Sequence, residues 1–320
     1  YKKAQKMAIR EYHSRVANGK YPYLPALMDD ILPQGEALRK VNLGLVDIPL
    51  DRIVGTYTAG RQNAFASNFM PLLDANTEFS VKWISLCEAH VSEGIHDSII
   101  AYEYMNRYYV VEGNKRVSVL KYFHAASVSG YVTRILPERN DDPDHILYYE
   151  YVKFNKYSHV NYIQFSHPGS YDKLLKLLEI NPEREWTDEE QQNFRSAYVR
   201  FSQAYTSKRK SEKLNITVGD AFLAFITIYG YDDIINKLPS EIKEDIPKVW
   251  EEFSLQSEEE SVALLLAPDS TAEPKKPGLI SAILPPSKKK IAFLHSKTAQ
   301  TSSWTYSHEL GRMYLEQVFP

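Results

Sequence analysis

Cysteine is nearly absent from this sequence. Cys87 stands alone among 320 residues, which excludes an internal disulfide framework and any zinc site built on several cysteines. A single thiol suits a reducing compartment. Long apolar runs are missing too: no stretch approaches the roughly 20 residues that span a bilayer. Neither a signal peptide nor a lipid-anchor cysteine opens the chain, although it starts at Tyr1 rather than Met and so leaves an upstream segment open. An excess of one charge is also lacking. Against 41 Asp and Glu stand 38 Lys and Arg, so nucleic-acid binding would have to come from a local patch rather than the whole surface. No internal repeat is apparent, and no Ser-His-Asp or Cys-His arrangement has a recognisable local spacing. What is present, 43% hydrophobic and 25% charged residues, is the balance of a globular protein long enough to hold two domains.

Along the chain, residues 2–17 carry helical spacing with Ala4, Met7, Ala8, Tyr12 and Val16 near one face, and Gly19 with two prolines stops that helix. Residues 45–57 read as a strand into a turn, with Pro49 at the strand end. Two helical stretches are predicted at 63–74 and 80–94, the second with Val81, Ile84, Leu86, Cys87 and Val91 on a buried stripe. "SIIAYEYMNRYYVV" (98–111) is β-branched and aromatic and breaks at Met105-Asn106-Arg107, which predicts a hairpin. A further strand is expected at 130–138. These elements outline an N-terminal helical segment at 1–40 and an α/β domain at 41–150. Residues 151–256 then read as a helical domain, with Thr187 and Glu190 as a capping box and Ser240 as a candidate cap. Charge, proline and small residues alternate through a linker at 257–290. The last stretch, 291–320, holds one strand and one helix, which cannot bury both their apolar faces alone. The chain is therefore expected to stop inside a further α/β domain. The fold class expected is α+β.

The stretch with the most chemistry is "VVEGNKRVSVLKYF" (110–123), a strand that becomes a helix through a glycine and two cations. Apolar residues at Val117, Val119, Leu120 and Phe123 set the helical period. The first turn of a helix presents unpaired N–H groups and partial positive charge, so the physical default for such a junction is an anion. Cations at a helix start oppose the dipole and need a reason, and an anion supplies one. With the strand at "IPLDRI", Arg61 after a turn, and Gly113-Asn114-Lys115-Arg116 before the helix, residues 45–137 resemble the ParB/sulfiredoxin-like fold. The resemblance implies a phosphate or nucleotide held by Gly113 and Arg116, with Glu112, Asn114, Lys115 and Arg61 around it. Sulfiredoxins carry their catalytic cysteine directly after the glycine. Here that residue is Asn114, which argues against sulfinic-acid reduction. ParB-type partitioning proteins carry a Gly-Glu-Arg-Arg-like core and a basic helix-turn-helix, of which this chain keeps only part.

A second resemblance covers the last residues. "KKIAFLHSKTAQTSSWTYSHELGRMYLEQVF" is similar to the opening of basic membrane protein (BMP)-type substrate-binding domains, on Trp304, Thr305, Tyr306, His308, Gly311 and Arg312. That family implies two α/β lobes around a purine nucleoside, with Trp304 where the first loop meets the ligand. Taken together, the resemblances imply a non-catalytic ligand-binding protein of the ABC-transporter substrate-binding class, carrying a phosphate-binding module in front. Two other readings stay open. One is a cytoplasmic, nucleoside-responsive regulator that holds nucleotide or DNA through the ParB-like module; the other is a nuclease or nucleotide hydrolase at the Gly-Asn-Lys-Arg turn. Partners implied are a nucleoside or nucleotide, DNA, and transporter membrane components. The fragment itself reads as cytoplasmic, and as extracytoplasmic and membrane-attached if a signal peptide precedes Tyr1. No cofactor beyond a nucleotide or phosphate is implied. Three other stretches take plainer readings: "ERNDDPDH" (138–145) as an acidic turn before a metal site, the tyrosines of 148–165 as core packing before base stacking, and "SKRKSEK" (207–213) as a solvated loop.

Overall fold

The structure, a computed structural model, describes residues 1–32, 38–209, 216–250, 253 and 312, apart from the side chains of Arg61, Lys208 and Arg209. The chain divides into two compact units, Tyr1–Val262 and Ala263–Pro320, and all described residues except Arg312 lie in the first. The expected linker (257–290) and the BMP-like segment (291–320) thus fall outside the described residues, Arg312 excepted. The first unit is α+β. Five strands, β1 (Arg39–Pro49), β2 (Ile53–Thr56), β3 (Ile99–Tyr104), β4 (Arg107–Glu112) and β5 (Ser127–Leu136), form one mixed sheet in the order β1-β5-β3-β4-β2. β5 runs antiparallel to β1 and parallel to β3, whereas β4 runs antiparallel to β3 and parallel to β2.

The predicted hairpin joins β3 to β4 through two residues. Met105 and Asn106 both take positive φ, 51° and 56°, the backbone that matches the twist of paired strands. Asn106 suits that conformation, and its N–H is anchored to the Glu103 carboxylate at 2.7 Å. One face of the sheet buries Ile99, Tyr108, Val110 and Val132 against Val117 and Leu120 of the helix α3, Asn114–Tyr122. The N-terminal helix α1 (Lys2–Ala17) lays Ala4 and Ala8 on Trp83 of α2 (Glu78–Ser92) and on Val119, so the first forty residues share a core with the sheet module.

In the sheet module, two local expectations about helices differ from the structure. Residues 63–74 form no α-helix. A 3-10 segment, Ala59–Ala64, gives way to short bridges from Phe65 to Pro71 and from Ala66 to Tyr23. Asn68 turns the chain by accepting the Met70 N–H at 3.0 Å, Phe69 sits at φ 66°, and Pro71 lacks the N–H a helix needs there. Helix α2 forms but is rotated. Its buried residues are Ser80 and Trp83, while Val81 and Val91 are 64% and 73% exposed, and Ile84 is exposed as well. Trp83, the largest apolar group on the helix, takes the inner position and donates its indole N–H to Ser118 at 2.8 Å. Cys87 is therefore only half-buried, and burial raises its thiol above the ordinary cysteine value.

The helical layer follows as α4 (Pro143–Ser158), α5 (Ser170–Leu177), α6 (Asp188–Arg209), α7 (Val218–Tyr229), α8 (Tyr231–Asn236) and α9 (Pro239–Asp245). Its core holds Tyr148, Tyr151, Phe154, Trp186, Phe194 and Phe222. The 148–165 aromatics thus belong largely to packing. The Thr187 and Glu190 capping box forms in both directions, at 2.8 and 3.2 Å. Ser240 does not cap α9. Leu238 precedes that helix, and Glu241 reaches back to its N–H at 2.7 Å. Among the described residues no helix is long and apolar enough to cross a membrane.

The helical layer is joined to the sheet by a buried ion pair. Glu103 of β3 is fully buried and pairs with Arg134, its register partner on β5. Its carboxylate also accepts the Tyr148 hydroxyl of α4 at 3.1 Å, and Arg134 donates to the Asn155 side chain of α4 at 3.1 Å. Burial pulls the Glu103 carboxyl above the usual range, against Arg134 and the surrounding donors. Removing one partner leaves a charge in an apolar interior. Arg134→Met should therefore lower stability by about 3–5 kcal/mol. The double variant Glu103→Leu/Arg134→Met should cost clearly less than the sum of the two single changes. Urea denaturation of the four proteins checks this; strictly additive losses would show that the two side chains are not an energetic unit.

Candidate functional site

At the end of β4 the chain turns through Gly113 at φ 107°, and α3 starts at Asn114. The helix thus begins three residues earlier than Val117, where the apolar spacing alone placed its start, and Lys115 and Arg116 lie inside its first turn. A Cβ on Gly113 would stand 2.6 Å from the Ile99 Cγ2, so both the backbone angle and the space require glycine. The Gly113 carbonyl accepts the Val117 N–H at 3.0 Å, which closes the first turn. No acidic side chain lies in that turn and none caps it.

Of the predicted residues, Glu112, Asn114, Lys115 and Arg116 lie around this junction. Asn114 is buried at 8% exposure, with its Nδ2 at 3.5 Å from the Thr56 hydroxyl and its Oδ1 without a hydrogen-bond partner. The Lys115 ammonium lies 4.8 Å from the centre of the Phe79 ring. Arg116 is anchored rather than extended: it donates to the Ser98 carbonyl at 3.0 Å. Its remaining edges face Glu112 at 3.5 Å and Asp97 at 4.0 Å, both exposed carboxylates. Such long, solvated pairs are worth little. The guanidinium is thus held in place by the carbonyl and only loosely neutralised.

Arg61 falls in the 3-10 segment that follows β2. Because β2 and β4 are parallel, that segment leaves the sheet at the same end as the Gly113 turn, with Thr56 beside Val110. Asp29 and Asp30 fix it by accepting the Ala59 N–H at 2.8 Å and the Gln62 side chain at 2.6 Å. Trp304 lies outside the described residues. The acidic stretch 138–145 starts α4: Asp142 accepts the Asp144 N–H at 2.8 Å as its cap. Among the described residues no group of three or more His, Cys, Asp or Glu side chains is placed to hold a metal ion. "SKRKSEK" lies mostly outside the described residues.

What the junction offers chemically is donors: backbone N–H groups at a helix start, a positioned guanidinium and an ammonium. Sequence reasoning missed a different feature, a cleft of about 1400 Å³ lined by the sheet, β1 above all, and by the helical layer, including Arg52, Asn161 and Tyr162. Those residues come from segments far apart in the chain, and no local pattern marks them. The sequence matches no protein-family model, and no curated protein sequence matches it.

Two outcomes follow from this geometry. Gly113→Ala should destabilise the protein by about 1–3 kcal/mol, since the methyl group meets Ile99 and the backbone angle is unsuited to alanine; urea denaturation reads it directly. The second outcome concerns Lys121, on the same helix, whose ammonium donates to the Ile53 carbonyl at 2.9 Å and lies over the Phe69 ring. Burial pushes it down to about 8, with Asp51 acting in the opposite sense. Between that value and the unfolded lysine value of about 10.4, the unfolded chain holds a proton that the folded one has released, so this group's contribution to stability rises with pH. The advantage of Lys121→Met over the wild type should therefore be greatest below pH 8 and shrink toward pH 10.4. A pH series of denaturation curves showing a constant gap would contradict it.

Proposed function

We propose that the sheet module, residues 39–136, is a non-catalytic binding module that holds the phosphate of a nucleotide at the Gly113 turn. The observation that carries this reading is the first turn of α3, which follows a left-handed glycine, contains Lys115 and Arg116, and has no acid of its own. Backbone N–H groups and a bidentate guanidinium are the donors that phosphate oxygens favour. The resting contacts of Arg116 with Glu112 and Asp97 are long and exposed, so a phosphate has only weak pairs to displace. In the same reading residues 291–320 open a BMP-type, purine-nucleoside-binding domain. That part is supported by the sequence pattern around Trp304 and Arg312. The chain would then belong with ABC-transporter-type substrate-binding proteins. DNA in place of a free nucleotide would instead make it a nucleoside-responsive regulator.

Calorimetric titration with inorganic phosphate, AMP, adenosine and a short DNA duplex separates these cases. Phosphate and AMP should bind the wild type at millimolar concentration or below. Arg116→Ala should weaken them by roughly 1.5–3 kcal/mol, the worth of a charged hydrogen bond. Glu112→Gln should tighten them, because it removes a competing carboxylate. Adenosine binding, if carried by the C-terminal segment, should ignore both changes. Tight, Arg116-dependent binding of the duplex without AMP would favour the regulator, and metal-dependent release of phosphate would favour a hydrolase. Absence of phosphate and AMP binding by the wild type, with a large stability loss in Arg116→Ala, would make the arginine a brace for Ser98 and nothing more.

A further inference from the structure

A second anion site is carried by the cleft between the sheet and the helical layer. Arg52 ends the 3-10 turn Leu50–Arg52 between β1 and β2 and points its side chain toward the helical layer, where it donates to the Tyr162 carbonyl at 3.3 Å. That is its one hydrogen bond among the described residues. Its Nε is buried and has no partner, and no carboxylate of the described residues lies within ion-pair distance. Arg116, Arg134, Arg184 and Arg195 all have such a carboxylate. Arg52 as a whole is half-buried, but its Nε edge is enclosed, and an enclosed donor without a partner is costly to remove from water. The same burial depresses the Arg52 pKa, with Asp51 only partly opposing.

The surroundings of Arg52 suit an anion. The Tyr162 hydroxyl is buried without a hydrogen-bond partner, and Tyr162 and Tyr198 both line the cleft with their rings 5.5 Å apart. Among the described lining residues five are Arg or Lys and three are Asp, with no Glu. One of the five, Arg195, meets Asp47 only at 3.7 Å, and both are more than half exposed. The volume of about 1400 Å³ exceeds the roughly 300–1,000 Å³ of a typical small-molecule pocket. A ligand of nucleotide size has room.

We propose that this cleft binds a small organic anion whose phosphate or carboxylate group is received by Arg52, with the Tyr162 hydroxyl as an additional hydrogen-bonding group. The site is separate from the Gly113 turn and uses none of its side chains. A guanidinium fork donates to two oxygens of either group, so the shared chemistry is a planar or tetrahedral oxyanion.

The test titrates inorganic phosphate, AMP and malonate separately into the wild type, Arg52→Met, Arg52→Lys, Tyr162→Phe and Arg116→Ala, with binding read by calorimetry and folding by urea denaturation. At least one oxyanion should bind the wild type and lose tenfold or more in affinity in Arg52→Met. Arg52→Lys should keep part of the binding, Tyr162→Phe should weaken it with folding intact, and Arg116→Ala should leave it unchanged. Malonate without phosphate or AMP would assign a carboxylate ligand, and the reverse a phosphate. Equal oxyanion binding in the wild type, Arg52→Met and Tyr162→Phe would overturn the proposal, as would no oxyanion binding to the wild type. Loss confined to Arg116→Ala would also overturn it while leaving the Gly113 site standing. If Arg52→Met fails to fold, Tyr162→Phe and Arg52→Lys decide the matter.

Discussion

Neither Glu103 nor Arg134 could be buried alone. A carboxylate with no exposure needs every oxygen answered, and here Arg134, the Asn106 N–H and the Tyr148 hydroxyl answer them. Meeting that need sets several things together. The parallel register of β3 and β5 must place residues 103 and 134 side by side, the hairpin must turn its Asn106 N–H inward, and α4 must approach close enough for Tyr148 and Asn155. The helical layer is thereby docked against the sheet at one place by polar groups whose geometry is directional. Apolar packing then fills in around it, with Tyr151 under the Arg134 guanidinium at 5.4 Å. Other contacts are lighter: Asn161 donates to the Asp47 carbonyl at 2.8 Å, and Arg52 to that of Tyr162.

A steric constraint of the same kind governs the other end of the module. Ile99 is wedged between two glycines, and a Cβ on Gly130 would come within 2.8 Å of it, as one on Gly113 would within 2.6 Å. β3 can therefore lie close to both β5 and the β4–α3 turn only because those two positions lack side chains. This close approach fixes the direction in which α3 leaves the sheet, and with it the direction of its first-turn N–H groups. It also brings Ser98, just before β3, within reach of Arg116.

The two arginines considered as anion receptors differ in how they are prepared. Arg116 is positioned by a carbonyl and carries exposed acids at long range, so an incoming anion exchanges one weak partner for a better one. Arg52 is half-buried with its Nε enclosed, and among the described residues no carboxylate reaches it at ion-pair distance, so the gain from an anion there is a relief of desolvation. The first arrangement tolerates an empty state easily; the second makes the empty state costly.

Much of the local geometry was legible in the sequence. The hairpin at Met105-Asn106, the strand–glycine–helix junction at Gly113, and the Thr187 and Glu190 capping box each depend on residues within a few positions of one another. Backbone preference and short-range hydrogen bonds decide them. The expected helix at 63–74 failed on the same scale, because its apolar spacing was read over the turn chemistry of Asn68 and Pro71. The rotation of α2 was settled by Trp83 finding α1, and the half-buried state of Cys87 followed from it. That Arg116 rests on Ser98, that Arg52 has no carboxylate at ion-pair distance among the described residues, and that Glu103 meets Arg134 were likewise decided only by the tertiary structure. Sequence alone determined the β3–β4 hairpin, the glycine junction and the start of α6, since those follow from dihedral preference and hydrogen bonds within a few residues. Which charges are answered and which are left waiting depends on groups brought together from distant segments, and burial makes that difference count.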